Sequence, residues 1–234
     1  MKSRQLNKIY ITSDGFVATH LKKAFKNSLT EDINEADIII NTIGIIRENK
    51  YSFEESHVEI VKKLIPLSKN KKLIHISALG SKLNHPSKYK HTKALAEKLI
   101  KENLKNYAII KPSIILGEGQ KLYEDLKKFK NLPVVLAPKM IVSPLHIQEL
   151  INKIQEIIIN DLKGELELCG NKMKMKDLFK EVFHSFDKNP IILEMPKTFF
   201  GIFLPIFSLL GIMTKDEYLM IEDNICKEKN ERKI

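Results

Sequence analysis

Tyr89 and Lys93 stand four residues apart in a helix-forming segment, KYKHTKALAEKLI, so a phenol and an ammonium project from one helical face. Such a pair can do proton-transfer chemistry. The ammonium favours phenolate and lowers the phenol's pKa, and the phenol then exchanges a proton with a carbonyl or alcohol. A hydroxyl must orient the reacting oxygen. Ser77, twelve residues upstream of Tyr89, is the first candidate and Ser81 the second. Ser77 closes a short apolar run, Leu73-Ile74-His75-Ile76, that reads as a buried strand; Gly80, Asn84 and Pro86 supply the turn that follows. With 39 basic residues and six tyrosines in the chain, the Tyr-x-x-x-Lys spacing alone also fits a solvated helix, so the surrounding elements must decide.

The chain opens with a strand, Lys8 to Thr12, that runs into Gly15-Phe16-Val17-Ala18 at the start of a helix. Strand, glycine turn and helix begin a dinucleotide-binding unit, in which backbone N–H groups and the helix N-terminus hold a pyrophosphate. The expected pattern is G-x-x-G-F-x-G, and only its middle glycine is present here. Thr12 replaces the glycine of the sharp turn. Asp14 places a negative charge where the ligand would lie, and Ala18 is a mild change. Dinucleotide binding is therefore expected to be weak or absent. Only about ten residues then separate the first helix from the strand Asp37 to Asn41, too few for the strand, helix and strand of a regular unit. The sheet is expected to be truncated, lacking its usual second and third strands, with Lys8–Thr12 at an exposed edge that invites self-association.

Asn41 and Gly44 end the Asp37 strand. Tyr51 to Leu67 carries apolar residues at helical spacing, with His57 read as a polar-face residue. Tyr107 to Leu116 is a strand run broken by Pro112; a helix around Leu122–Phe129, a strand-like Val134–Ala137 and a helix Ile147–Ile159 follow. Alternating strands and helices argue an α/β fold with a parallel sheet covered on both faces. From Gly164 the character changes: a short strand GELELCG, an amphipathic helix Met175–Phe186, a Pro-marked segment, an apolar run Thr198–Met213, a last helix Asp216–Ile225 and a charged tail. The expected division is a Rossmann-like domain over 1–162 and a small α-rich lobe over 163–234.

The net charge of +10 comes mainly from lysines spread along the chain without aromatic interleaving, so no nucleic-acid role is expected. Cys169 and Cys226 stand isolated, which suggests a reducing compartment and no metal site. The N-terminus has no apolar core of a signal peptide. The Thr198–Met213 run is uncharged, but at 16 residues and interrupted by Gly201, Pro205 and Gly211 it is short for a spanning helix. It reads either as a helical hairpin in the lobe's core or as a segment facing a membrane complex or an anionic membrane, with Lys197 and Lys215 at its flanks.

Several stretches, in order along the chain, resemble the atypical short-chain dehydrogenase/reductases, and within them the branch related to the nucleotide-binding accessory subunit of respiratory complex I and to sugar-nucleotide epimerase-like proteins. ADIIINTIGII is similar to a strand ending in N-x-x-G-I. HISALGS and SKYKHTKALAE are similar to the H-x-S-A-L-G and Y-x-x-x-K-x-x-x-E block, and AIIKPSIILGEG to I-x-R-P-S-x-x-x-G-x-G. IVSPLHIQEL, GELELCG and LGIMTKDEYLMIEDN resemble the later segments. The resemblance implies a Rossmann-like core that takes NAD or NADP. It makes Tyr89 and Lys93 the catalytic pair with Ser77, Gly15 and Phe16 the pyrophosphate turn, Asn41 and Gly44 a further cofactor edge, and Pro112 and Ser113 the nicotinamide-side wall. No position matches the acid that reads the adenosine ribose. Two functions follow. One is a weakly catalytic or non-catalytic nucleotide-fold protein at a membrane complex, cytoplasmic or peripheral on the inner face of the membrane. The other is an active oxidoreductase or epimerase; a scaffold in which the pair is a relic is a third reading.

Overall fold

The computed structural model describes residues 7–222 and 224–226; the first residues of the N-terminal reading and the charged tail 227–234 lie outside them. In chain order the elements are β1 (Ile9–Ile11), α1 (Phe16–Ala24), β2 (Ile38–Asn41), a π-helical turn (Glu54–Glu59) running into α2 (Ile60–Leu67), β3 (Lys72–Ile76), α3 (Lys88–Asn103), β4 (Tyr107–Pro112), β5 (Ile115–Leu116), α4 (Lys121–Lys127), β6 (Val134–Pro138), β7 (Ile141–Val142), β8 (Leu145–His146), α5 (Ile147–Ile159), β9 (Gly164–Leu168), β10 (Met173–Lys174), α6 (Met175–His184), β11 (Ile191–Met195), α7 (Lys197–Ile202), α8 (Leu204–Leu209) and α9 (Lys215–Leu219).

Consecutive isoleucines in β2 and β4, and Leu73, Ile74 and Ile76 in β3, send alternate side chains to opposite faces, which is why these strands read as apolar runs. Ile38, Ile40, Ile74, Ile76, Ala108 and Ile110 pack on α1 and α5 through Leu21, Leu150 and Ile154. Ile39, Leu73 and Ile109 pack on α2 and α3 through Val61, Leu64, Ala96 and Ile100. All strands of this sheet run parallel, in the order β1-β2-β3-β4-β9. Outside β1 a single parallel bridge joins Ile9 to Leu29, with the Ile9 amide donating to Ser28 and the Thr30 amide to the Ile9 carbonyl. The edge is thus partly covered by the strand-like residues 28–30.

The expected division at residue 162 does not follow the chain. β9 is the fifth strand of the main sheet, paired with β4 from Ala108↔Gly164 to Pro112↔Leu168. The second core instead joins α4, β6 and β7 to α6, with Val135, Ala137 and Val142 against Leu178, Phe179, Val182 and Phe183. β11 runs parallel to β6, and β10 pairs with β7. The lobe is built from two separated stretches because its strands need partners from both sides of β9.

Two local expectations change. Cys169 and Cys226, read as isolated thiols, are joined in a disulfide across 57 positions, since the end of β9 and the last described residues converge. The last helix is only α9, five residues with none buried, so nothing apolar sustains it to Ile225. The apolar run forms α7 and α8, broken at Phe203-Leu204-Pro205. Among the described residues no helix is long and apolar enough to cross a membrane.

Candidate active site

The carboxyl ends of β2, β3 and β4 lie on one side of the sheet, where an open α/β fold places its ligands. α3 presents Tyr89, Lys93 and Glu97 there at intervals of four residues. Its N-terminus is capped twice: Ser87 accepts from the Lys90 amide, and Asp216, from α9, accepts from the Ser87 hydroxyl at 2.8 Å and the Lys88 amide at 2.6 Å. The Tyr89 amide adds a longer bond to the same carboxylate, 3.3 Å.

Lys93 is buried, and its ammonium donates to the Ile76 carbonyl at 3.1 Å and the Ile43 carbonyl at 3.5 Å. It staples the ends of β2 and β3. Burial lowers its pKa to about 8 against the opposing pull of Glu97. Gly44 passes so close that an added Cβ would stand 2.9 Å from Nζ, so the glycine makes room for the ammonium.

The Tyr89 ring meets Phe53 and His57 edge-on, with centroids 5.8 and 5.3 Å away. Its phenol is pushed up to about 12, first by burial and then by Asp216. The expected lowering by Lys93 gives way to the opposite direction: the ammonium donates to backbone carbonyls, and burial, with the Asp216 charge added, holds the phenol protonated. His57, expected on a polar face, is buried at 1% exposure. The π-helical turn turns Ser56, His57 and Val58 inward together. Thr92 gives its hydroxyl hydrogen to the Lys88 or Tyr89 carbonyl, so it accepts from His57 Nδ1 at 2.8 Å. Burial holds His57 neutral, with a pKa of about 2.

Ser77 does not face the pair as a free hydroxyl. Its Oγ donates to Glu97 at 2.5 Å, and Glu97 is paired with Lys111 at 2.9 Å. Ser81 donates to the Ala78 carbonyl. Asn41 is buried and fully engaged: its side-chain oxygen accepts from Thr12 at 3.0 Å and from the Ile43 amide at 3.1 Å, so its nitrogen donates to His75 Nδ1 at 3.0 Å. That order leaves the proton of His75 on Nε2, which has no partner among the described residues. Burial accordingly drives His75 well below the usual histidine range. Pro112 ends β4 and accepts from the Leu79 amide, and Ser113 donates through its hydroxyl to the Asn224 carbonyl at 3.4 Å. Lys93 and Ser77 are buried, with half-buried Tyr89 and exposed Gly44 beside Lys93, while Ser113 faces the C-terminal segment.

At the first turn, Gly15 caps α1 with an ordinary φ of −69°, and an added Cβ would meet nothing within 4 Å. The fold does not demand glycine there. The helix has no side-chain cap and no acidic residue in its first turn, which fits a pyrophosphate. A cavity of about 170 Å³ adjoins it, lined by Thr12, Ser13, Asp14, Lys22, Thr30 and Glu31 among others. Asp14 opposes an anion, although Lys22 pairs with it at 2.5 Å.

A family model described as "Male sterility protein", of the NAD-binding type, matches residues 10–155. The chain belongs to this NAD-binding family. It is 31% identical over 136 residues to the Dictyostelium discoideum NADH dehydrogenase [ubiquinone] 1 alpha subcomplex subunit 9, mitochondrial, a match covering 56% of this chain and 38% of that one. The mouse protein of the same name is 26% identical over 132 residues, 53% of this chain and 35% of that one. The chain thus spans less than half the length of these curated relatives. Among solved structures, dTDP-4-dehydrorhamnose reductase from Bacillus anthracis, in complex with NADP, superposes with a TM-score of 0.71 at 15% identity, covering 92% of this chain and 97% of that one. UDP-N-acetylglucosamine 4-epimerase from Methanobrevibacter ruminantium gives 0.65 at 15% identity, covering 81% and 85%. The reductase- and epimerase-like fold and the kinship with complex I accessory subunits, both read from the sequence, hold.

Within this NAD-binding fold, sequence reasoning missed Glu31, Glu97 and Asp216 as site residues. Glu97 had a signal, its four-residue spacing from Lys93. Glu31 is placed by the Leu29 bridge, at the end of a strand too short to read. Asp216 falls in the resembling segment LGIMTKDEYLMIEDN, but at 127 residues from Tyr89 nothing in the sequence joins the two.

Proposed function

We propose that this protein is a weakly catalytic or non-catalytic NAD(P)-fold subunit that supports a respiratory membrane complex. The observation that carries the reading is the state of the Tyr–Lys pair: Lys93 is bound to the Ile76 and Ile43 carbonyls, and Tyr89 holds its proton up to about 12. A phenol so protonated is a poor base at neutral pH, and a lysine so engaged has little left to offer a ribose. The complex I subunit names of the curated relatives support the membrane-complex setting. We place the protein in the cytoplasm or peripherally on the inner face of the membrane.

The same reading covers the sheet. We infer a shortened dinucleotide unit in which residues 28–30 stand in for the outer strand, on the strength of the Ile9–Leu29 bridge. A dinucleotide would be held by the backbone at Gly15 and Phe16, with Thr30 and Glu31 on the adenosine ribose, and a bound nicotinamide would supply hydride chemistry. A carboxylate at that place accepts from ribose hydroxyls and repels a 2′-phosphate, so NAD is favoured over NADP. Calorimetric titration of ligand-stripped protein with NAD(H) and NADP(H) tests the reading, beside a turnover assay with reduced cofactor. We expect dissociation constants weaker than about 10 μM and negligible turnover. Tight binding with turnover would instead favour the active oxidoreductase.

A further inference from the structure

From residue 201 to 226 no described residue is fully buried, yet the segment after Gly211 is fastened to five different places on the body. Arg47, in the loop after β2, donates to the Gly211 and Ile212 carbonyls at 3.1 Å each and to Glu217 at 2.7 Å. Asp216 holds the first turn of α3 at Ser87, Lys88 and Tyr89. The Asn224 carbonyl accepts from the Ser143 amide at 2.9 Å and from the Ser113 hydroxyl after β4. Cys226 is bonded to Cys169, the residue after β9. These anchor points follow β2, β4 and β9 and include the start of α3, so the segment crosses the carboxyl ends of the parallel strands beside Tyr89.

We infer that residues 211–222 and 224–226 form a thiol-controlled strap over the candidate site, with Cys169–Cys226 as its latch. Without apolar burial the strap rests on polar contacts, each worth little in water, so a covalent tie decides how often it lifts. Both cysteines are partly exposed, within reach of a reductant. A dithiol reductant opens the latch in two steps. One of its thiolates attacks a sulfur of the Cys169–Cys226 bond, forming a mixed disulfide and releasing the other cysteine as a thiolate that takes up a proton. The reductant's second thiol, losing its proton, then attacks the mixed disulfide and frees the second cysteine. The reductant leaves as a disulfide, and two electrons and two protons have passed to the protein.

The Lys88 and Tyr89 amides report the strap directly. First-turn amides of a helix have no intrahelical acceptor, and here both bond to Asp216. Hydrogen exchange at these amides is measured on the full chain, air-oxidised and then treated with dithiothreitol, with free thiols counted by alkylation and mass. Reduction is expected to speed exchange at Lys88 and Tyr89 at least tenfold while Ile74 and Ile109 in the sheet keep their protection. Cys226→Ser should behave as the reduced chain under both conditions, and Cys169→Ala serves if that variant misfolds. Asp216→Ala, which removes the acceptor, should expose both amides whatever the redox state. Two free thiols after oxidation, unchanged exchange on reduction, or protection retained in Asp216→Ala would overturn the proposal. None of these readouts needs a bound dinucleotide: strap release with no NAD(H) binding in either state sinks the proposed cofactor and leaves the strap standing.

Discussion

The Thr12 hydroxyl donates to the side-chain oxygen of Asn41 at 3.0 Å and accepts from the Thr42 amide at 3.1 Å. A residue standing where the dinucleotide turn wants glycine has become a tie between the ends of β1 and β2, reinforced by the Ser13–Thr42 hydroxyl contact at 2.8 Å. Thr12→Gly should therefore act in two directions. It strands the Thr42 amide, takes one of two donors from the Asn41 oxygen and lowers stability by about 1–3 kcal/mol, read as a lower urea midpoint at constant slope. Combined with Asp14→Ser, it should tighten NAD(H) binding by calorimetry. A loss of stability with no gain in affinity would mean that the turn has no cofactor role left to recover.

Glu31 carries the proposed choice between the two dinucleotides. It is exposed at the end of the residues bridged to β1 and lines the cavity beside Asp14. Glu31→Ala should leave the melting temperature within a degree or two and weaken NAD about tenfold, the worth of one charge-assisted hydrogen bond. Glu31→Arg should shift preference toward NADP. Equal affinities in all three proteins would remove Glu31 from the site.

The buried histidine pair sets an acid limit on stability. His57 titrates near 2 in the folded chain against an ordinary value of 6.5, and His75 is lowered in the same direction. Below about 6.5 the unfolded chain therefore binds protons that the folded one refuses. Their contribution is fully present above that pH and is lost as pH falls toward 2. His57→Gln should flatten the slope of unfolding free energy between about pH 4 and 6.5. Lys93 acts at the other end: folded near 8 and unfolded near 10.5, it makes stability rise with pH across that interval, and Lys93→Met should abolish the rise. Denaturant titrations across pH measure both.

Much of the main sheet was legible because consecutive isoleucines at 38–40 and 109–110 permit little but a strand buried on both faces. The placement of Gly15 at a helix start and of Tyr89 and Lys93 on one helix was legible because it is local: a turn and one helical face. His57 was misread because polarity was taken as exposure; hydrogen bonds to Thr92 and the Ile45 amide make it a core residue. The pKa of Tyr89 was misjudged in sign because burial, which the sequence does not show for a helix start, outweighs the charge four residues away, and Asp216 adds to it from the far end of the chain. The cysteine pair escaped for the same reason: a separation of 57 positions carries no pairing signal, and only β9's place beside β4 brings Cys169 toward the C-terminal segment.

The apolar run separates a membrane-complex role from a soluble enzyme. It contributes Phe200 to the interior, but Leu209 is 88% exposed, Ile202 74% and Leu210 65%, so α7 and α8 present aliphatic side chains to the outside. Phe199, Phe203 and Phe207 stack loosely beneath them, with centroids 4.6 and 6.2 Å apart. Lys197 lies at one flank, bound to Glu222 and over the Tyr218 ring, and Lys215 at the other. Aliphatic tips between lysines fit an anionic lipid surface, where each CH₂ buried is worth about 0.8 kcal/mol and each lysine about 1 kcal/mol. Ile202→Glu with Leu209→Glu is the telling variant, because neither residue supports the fold: its unfolding midpoint should match the parent's. Flotation with liposomes rich in anionic lipid should carry the parent protein upward and leave the variant behind, and raised salt should weaken the parent's binding. Phe203→Glu with Phe207→Glu instead breaks the stacked phenylalanines, of which Phe203 is partly exposed and Phe207 half-buried, and should lower stability. If the parent never floats and only the phenylalanine variant is altered, the run is core and the membrane role fails.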